Sequence, residues 1–210
     1  MASFFIEKVK RIKSAISSAL DGRCSDPLAS DLPHVGPFID TFAPVSEDEV
    51  ERLLATMSAK SSPLDFLPTS LLKSCSNTFA VIIARLANLS FGQSTFPAKF
   101  KTAQITPLLK KPGMDDSEPS SYRPISNLNT VSKVLERLVL ARIVPHVSSS
   151  PSFDSMQSAY RKSHSTETAL NKITNDVYSG LDTRQSTVLV ALDQSAAFDC
   201  IDHWTLINRL

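Results

Sequence analysis

The chain has 210 residues, 42% of them hydrophobic and 20% charged, so it can bury a core and is too apolar to be a disordered chain. Its three cysteines, Cys24, Cys75 and Cys200, are isolated, which argues against a disulfide framework or a zinc site and fits a reducing, intracellular compartment. The five glycines form no phosphate-cradling loop, and the formal net charge is only +1.

That charge is unevenly placed: +3 over residues 1–20, −6 over 21–65, +2 over 66–96, +4 over 97–142 and −2 over 143–210. A polyanion-binding surface is expected in 97–142, with a smaller one at the start of the chain. The opening MASFFIEKVK lacks the apolar run of a signal peptide. The longest apolar stretch, 79–89, contains Arg85 and falls well short of the about 20 residues that cross a bilayer.

In chain order, Phe5, Val9, Ile12, Ile16 and Leu20 predict a first helix over 4–20. Residues 21–45 read as a Pro/Asp/Ser-rich linker. Ser46 with Glu49 forms a capping-box signature for a second helix, with Val50, Leu53, Leu54 and Met57 on its apolar face. Ser61, Ser62 and Pro63 break it. Pro68 is expected to open the next helix, burying Leu71 and Leu72, and a longer helix follows over about 76–90. Residues 103–109 and 122–127 are strand candidates joined by a polar turn, hence a hairpin, with Pro107 at an edge or bulge. An amphipathic helix is expected over 131–144, ended or kinked by Pro145, and another from about Ser165 to Leu181. TVLVAL, 187–192, reads as a central strand covered on both faces, and 195–210 as a helix.

The chemistry concentrates at the end of that run. Asp193 closes it, and Asp199 and Asp202 follow. A carboxylate at a strand end suits a divalent cation, because the strand fixes the oxygen and the open end admits substrate. The residues alone leave a second reading open: Asp193 capping a helix from Ser195, and Asp202 capping 203–210.

LDQSAAFDCIDH, 192–203, resembles motif A of the reverse transcriptases of LINE-type (non-LTR) retrotransposons. KSSPLDFLPTSLLKSC (60–75), FPAKFKTAQITPLLKKPG (96–113), YRPISNLNTVSKVLERLV (122–139) and QSAYRKSHSTETAL (157–170) are similar to further blocks of that family, in family order. The resemblance is strongest to the Jockey-like branch. It implies an α+β fold: helix-rich polymerase fingers with a small antiparallel hairpin, and a partial palm whose sheet is cut short. The divisions it suggests are 1–45 (helix and linker), 46–95 (helical lead-in) and 96–210 (fingers and partial palm through motif A).

The same resemblance implies roles. Asp193 matches the catalytic aspartate that binds Mg2+, and Gln194 would add a backbone carbonyl. Phe198 falls at the aromatic gate beneath the incoming sugar. Arg123 looks like the fingers arginine that grips the triphosphate, with Lys110 and Lys111 neutralising the same phosphates. Gln157 and Arg161 fall near the template and nucleotide pocket, and Asp199 looks structural. RNA template, DNA primer and dNTP are the implied partners of the complete enzyme.

The sequence departs from the family pattern in three places. Ala159 stands where glycine is usual, Pro145 sits in a helix that the family continues, and no Asp-Asp pair follows Asp193. The expected consequence is negligible polymerase activity for these residues alone, since phosphoryl transfer depends on positioned charge. The alternative reading is a non-enzymatic module that binds RNA or a protein partner.

Overall fold

The structure, a computed structural model, describes residues 2–20, 39–151 and 153–207. Most of the expected linker, and Cys24, lie outside the described residues. The chain divides into two compact units, residues 1–5 with 35–150 and residues 6–34 with 151–210. Helix α1 (Ala2–Leu20) forms where the apolar spacing places it.

The first unit packs four helices: α2 (Glu47–Thr56), α3 (Thr69–Ser74), α4 (Ser76–Gly92) and α5 (Thr130–Ser149). Helix α4 turns Ala80, Ile83, Ala84 and Ala87 inward, a spacing of three and four that makes one face. Its small alanines allow close approach of α2, whose Val50 and Leu54 are buried. Val134, Leu135 and Leu138 of α5 and Leu72 of α3 complete the core. Leu71, expected inside, is 41% exposed, because α3 turns Thr69 and Leu72, three residues apart, inward and the residue next to Leu72 lies about 100° round the helix.

Pro68 takes the N-cap of α3, one position before the N1 expected of it. The Ser46 hydroxyl caps α2 by accepting the Glu49 N–H at 3.2 Å. The Glu49 carboxylate does not complete a capping box; it pairs with Arg142 of α5. Pro145 does not end α5, which continues to Ser149. The missing N–H costs one hydrogen bond, near the C-terminal end and in an exposed turn where water can reach the freed carbonyl.

Between α4 and α5, β1 (Gln104–Leu109) and β2 (Tyr122–Asn127) pair antiparallel as the expected hairpin. The connecting turn carries Gly113 at φ 82° and the Asp115–Ser117 pair. The Ser117 hydroxyl and N–H both donate to the Asp115 carboxylate and hold its pKa below the usual value.

The second unit contains α6 (Thr166–Asp182), α7 (Ala197–Cys200) and α8 (His203–Ile207). Ser165 and Thr168 form a reciprocal capping box on α6. Every buried apolar side chain among the described residues lies in the first unit. The expected central strand at 187–192 is corrected: the segment is irregular, with Val188 84% and Leu192 92% exposed. A strand exists through its hydrogen-bonded neighbour, and the sheet among the described residues is β1–β2 alone. The expected helix from 195 is split at Ile201–Asp202 into α7 and α8.

Candidate functional site

The hairpin register decides which side chains share a face. Gln104 faces Asn127, Pro107 faces Pro124 and Leu108 faces Arg123. The Lys110 N–H donates to the Ser121 carbonyl at 2.9 Å, so even-numbered positions of β1 form the hydrogen-bonded pairs. Pro107 and Pro124 therefore stand at a pair whose N–H groups would point outward. They remove no ladder bond and blunt both outer edges against strand addition.

By the same parity, Lys110 and Arg123 project from one face as diagonal neighbours, with Leu108 beside them. Arg123 is exposed. Neither Glu118 nor Glu136 pairs with it, since the ion pairs among the described residues are Arg142–Glu49 and Lys172–Asp176. The Lys110 ammonium donates to the Ser120 carbonyl at 2.7 Å, and Lys111 is exposed at the end of β1. Two cations on one face, neither in an ion pair among the described residues, form an anion-attracting patch.

In the second unit, the loop before α6 holds itself together. Arg161 donates to the Ser155 carbonyl at 2.8 Å and stacks over Phe153, 5.5 Å from the ring centre. Gln157 donates to the Ala159 carbonyl at 3.2 Å. The left-handed residues of this loop are Tyr160, φ 59°, and Ser163, φ 63°, so alanine at 159 meets no left-handed strain. Tyr160 stands edge-to-face with Phe198, ring centres 6.0 Å apart. Phe198 is 71% exposed and is not a core residue.

Asp193 is exposed and, among the described residues, unpaired. It caps no helix: the N-cap of α7 is Ala196, three residues on, which reaches φ 52° and receives the N–H groups of Asp199 and Cys200 on its carbonyl. Gln194 follows in the same exposed segment. Among the described residues no three His, Cys, Asp or Glu side chains come together. A two-ion centre, with ions about 3.5–4 Å apart, needs more carboxylate than Asp193 offers, so these residues do not fit one by themselves.

Gly180 governs how the Asp193 segment leaves α6. A Cβ at Gly180 would lie 2.7 Å from the Thr187 hydroxyl. The Gln185 N–H closes the turn on the Gly180 carbonyl at 2.8 Å. Gly180→Ala is expected to push Thr187 away and speed proteolytic cleavage over 183–193 several-fold, while Thr187→Ala in the same chain restores the parent rate. Overall stability should change by less than about 1 kcal/mol, because alanine's higher helix propensity offsets the displacement.

Sequence reasoning left Tyr160, Gly180 and Asp65 without roles. Tyr160 sits beside Arg161 in a block already singled out, and Asp65 lies inside the 60–75 block. Only the fold shows what each touches.

A family model described as reverse transcriptase (RNA-dependent DNA polymerase) matches residues 109–210. The chain is 28% identical over 168 residues to the probable RNA-directed DNA polymerase from transposon BS of Drosophila melanogaster, covering 80% of this chain and 18% of that protein. It is 29% identical over 163 residues to the probable RNA-directed DNA polymerase from transposon X-element of the same organism, covering 77% of this chain and 18% of the relative. It is 27% identical over 166 residues to the RNA-directed DNA polymerase from mobile element jockey, also of that organism, covering 79% and 18%. The chain thus spans less than a fifth of the length of these relatives. No solved structure matches. Reverse transcriptases as a family use divalent metal ions. Residues 109–210 thus resemble a reverse transcriptase domain, and the chain is similar to RNA-directed DNA polymerases of mobile elements such as jockey.

Proposed function

We propose that the chain supplies the nucleotide-gripping part of an RNA-directed DNA polymerase that acts on an RNA template, a DNA primer and dNTP. In this reading α2, α3 and α4 form the helical lead-in, and the β1–β2 hairpin, α5 and the residues after them belong to the fingers and partial palm. The observation that carries it is the face shared by Lys110 and Arg123, exposed and in no ion pair among the described residues. A guanidinium fork suits the paired oxygens of a triphosphate, and Lys110 and Lys111 add point charge beside it. Phe198, held edge-on by Tyr160, would discriminate against a ribose 2′-hydroxyl by bulk. Gln157 and Arg161 shape the loop that carries Tyr160, the ring that stands against Phe198. Asp193 is the carboxylate these residues offer to Mg2+, with the Gln194 carbonyl beside it.

The binding claim is tested by titrating inorganic tripolyphosphate into the 210-residue polypeptide. Arg123→Gln is expected to weaken binding at least about tenfold. Binding should also fall steeply as salt is raised. Equal affinity of parent and variant would remove the fingers assignment of Arg123. The incomplete metal donor set favours a second reading, in which the polypeptide binds RNA without catalysis. Salt-dependent capture of single-stranded RNA, lost in Lys111→Gln/Arg123→Gln, separates it from a chain with no nucleic-acid role.

A further inference from the structure

The hairpin that carries Lys110 and Arg123 is poorly held by packing. All of β1 except Leu109 is exposed, as are four of the six residues of β2. Its direction must therefore be set at its base. That base is the first turn of α5, which begins only three residues after β2 ends at Asn127.

Two ties meet there. The Ser132 hydroxyl, on a fully buried residue, donates at 2.7 Å to the carbonyl of Phe100, just before β1. On the β2 side the tie is Asp65, from the irregular segment between α2 and α3. Its carboxylate accepts the Thr130 N–H at 2.6 Å, the Thr130 hydroxyl at 2.8 Å and the Ser62 N–H at 2.6 Å. A carboxylate only accepts, so the Thr130 hydroxyl must donate to it. The lone pair left on Thr130 then takes the proton of buried Thr69, whose oxygen is 2.8 Å away. The cap of α5 is provided separately by Asn129, whose side-chain oxygen accepts the Ser132 N–H at 2.7 Å. Asp65 is thus not needed as the cap. Its bonds join the 60–69 segment to the point where β2 passes into the helix.

We propose that Asp65 is a positioning residue that aims the β1–β2 hairpin, and with it Lys110 and Arg123, by clamping the strand-to-helix junction at Thr130. The nucleotide side of this inference rests on the function proposed above; the clamp itself does not. The sign of its effect separates it from simple electrostatics. Removing a carboxylate makes the unit more positive, which by charge alone strengthens polyanion binding. Loss of aim weakens it.

The test uses the full 210-residue chain with Asp65→Asn, Arg123→Gln, the double variant, and Thr130→Val, which puts a methyl group in place of the hydroxyl and so removes its bonds to Asp65 and Thr69. With tripolyphosphate as probe, Asp65→Asn is expected to bind about fivefold more weakly, and the double variant to match Arg123→Gln within about twofold, the non-additivity of coupled residues. Amide hydrogen exchange in 104–110 and 121–127 should speed about tenfold in Asp65→Asn and in Thr130→Val, with α4 amides unchanged. Thr130→Ser should restore the parent rate. If Arg123→Gln binds as the parent does, the proposed function fails while the exchange result still decides the clamp. Unchanged hairpin exchange in both Asp65→Asn and Thr130→Val, or tighter tripolyphosphate binding by Asp65→Asn, overturns the inference. Should Asp65→Asn not fold, Thr130→Val and Thr130→Ser carry the same comparison.

Discussion

Replacing Arg142 with alanine is expected to destabilise the first unit by about 3–5 kcal/mol, read as a lower midpoint in urea unfolding. Its guanidinium has five N–H groups, and all five find acceptors. Nε donates to the Ala43 carbonyl at 2.7 Å. Nη1 donates to the Leu138 carbonyl at 2.7 Å and to Glu49 Oε1 at 3.0 Å. Nη2 donates to the Pro44 carbonyl and to Glu49 Oε2, both at 3.0 Å. The cation also lies 5.3 Å from the centre of the Phe91 ring. One side chain so joins α2, α4, α5 and the entering 43–44 segment. The pair is bidentate, and the side chains are only 11% and 27% exposed, so it is not the weak surface kind. Arg142→Ala leaves the Glu49 carboxylate and several carbonyls without their donor. Arg142→Lys should recover less than half of the loss, because an ammonium has three donors and no fork. A loss below about 1 kcal/mol for Arg142→Ala would show that water replaces the donors freely.

On a primed RNA template with Mg2+, the 210-residue polypeptide is expected to incorporate no dNTP above background, and Asp193→Ala to leave that baseline unchanged. Phosphoryl transfer draws almost all of its acceleration from fixed charge around the reacting oxygens. Asp193 is exposed, and no three metal-ligating side chains converge among the described residues. One carboxylate cannot hold two ions in register. The same preparation should still bind tripolyphosphate, which distinguishes an incomplete centre from an unfolded chain. Incorporation that Asp193→Ala abolishes would refute the expectation and require a second ligand set outside the described residues.

Local physics was legible in the residues themselves. Apolar spacing of three and four located α1, α2 and α5, because the helical repeat carries its own signature, and α4 and α6 also stand where helices were expected. Two short runs around a polar turn announced the β1–β2 hairpin, and Ser46 and Ser165 announced their helices. Motif order pointed to a reverse transcriptase domain, and the family match over 109–210 agrees with it. What required tertiary structure were the partners of long side chains and the fate of runs that need neighbours. Glu49 had a plausible local role in a capping box, but an arginine 93 residues away holds it. Asp65 lies 65 residues from the helix start it clamps, a distance over which no sequence period carries information. Residues 187–192 have the composition of a buried strand, yet composition supplies no hydrogen-bonding neighbour, and without one those side chains stand exposed. A helix satisfies its own backbone and so shows in the sequence, whereas a strand or an ion pair is completed by atoms far along the chain.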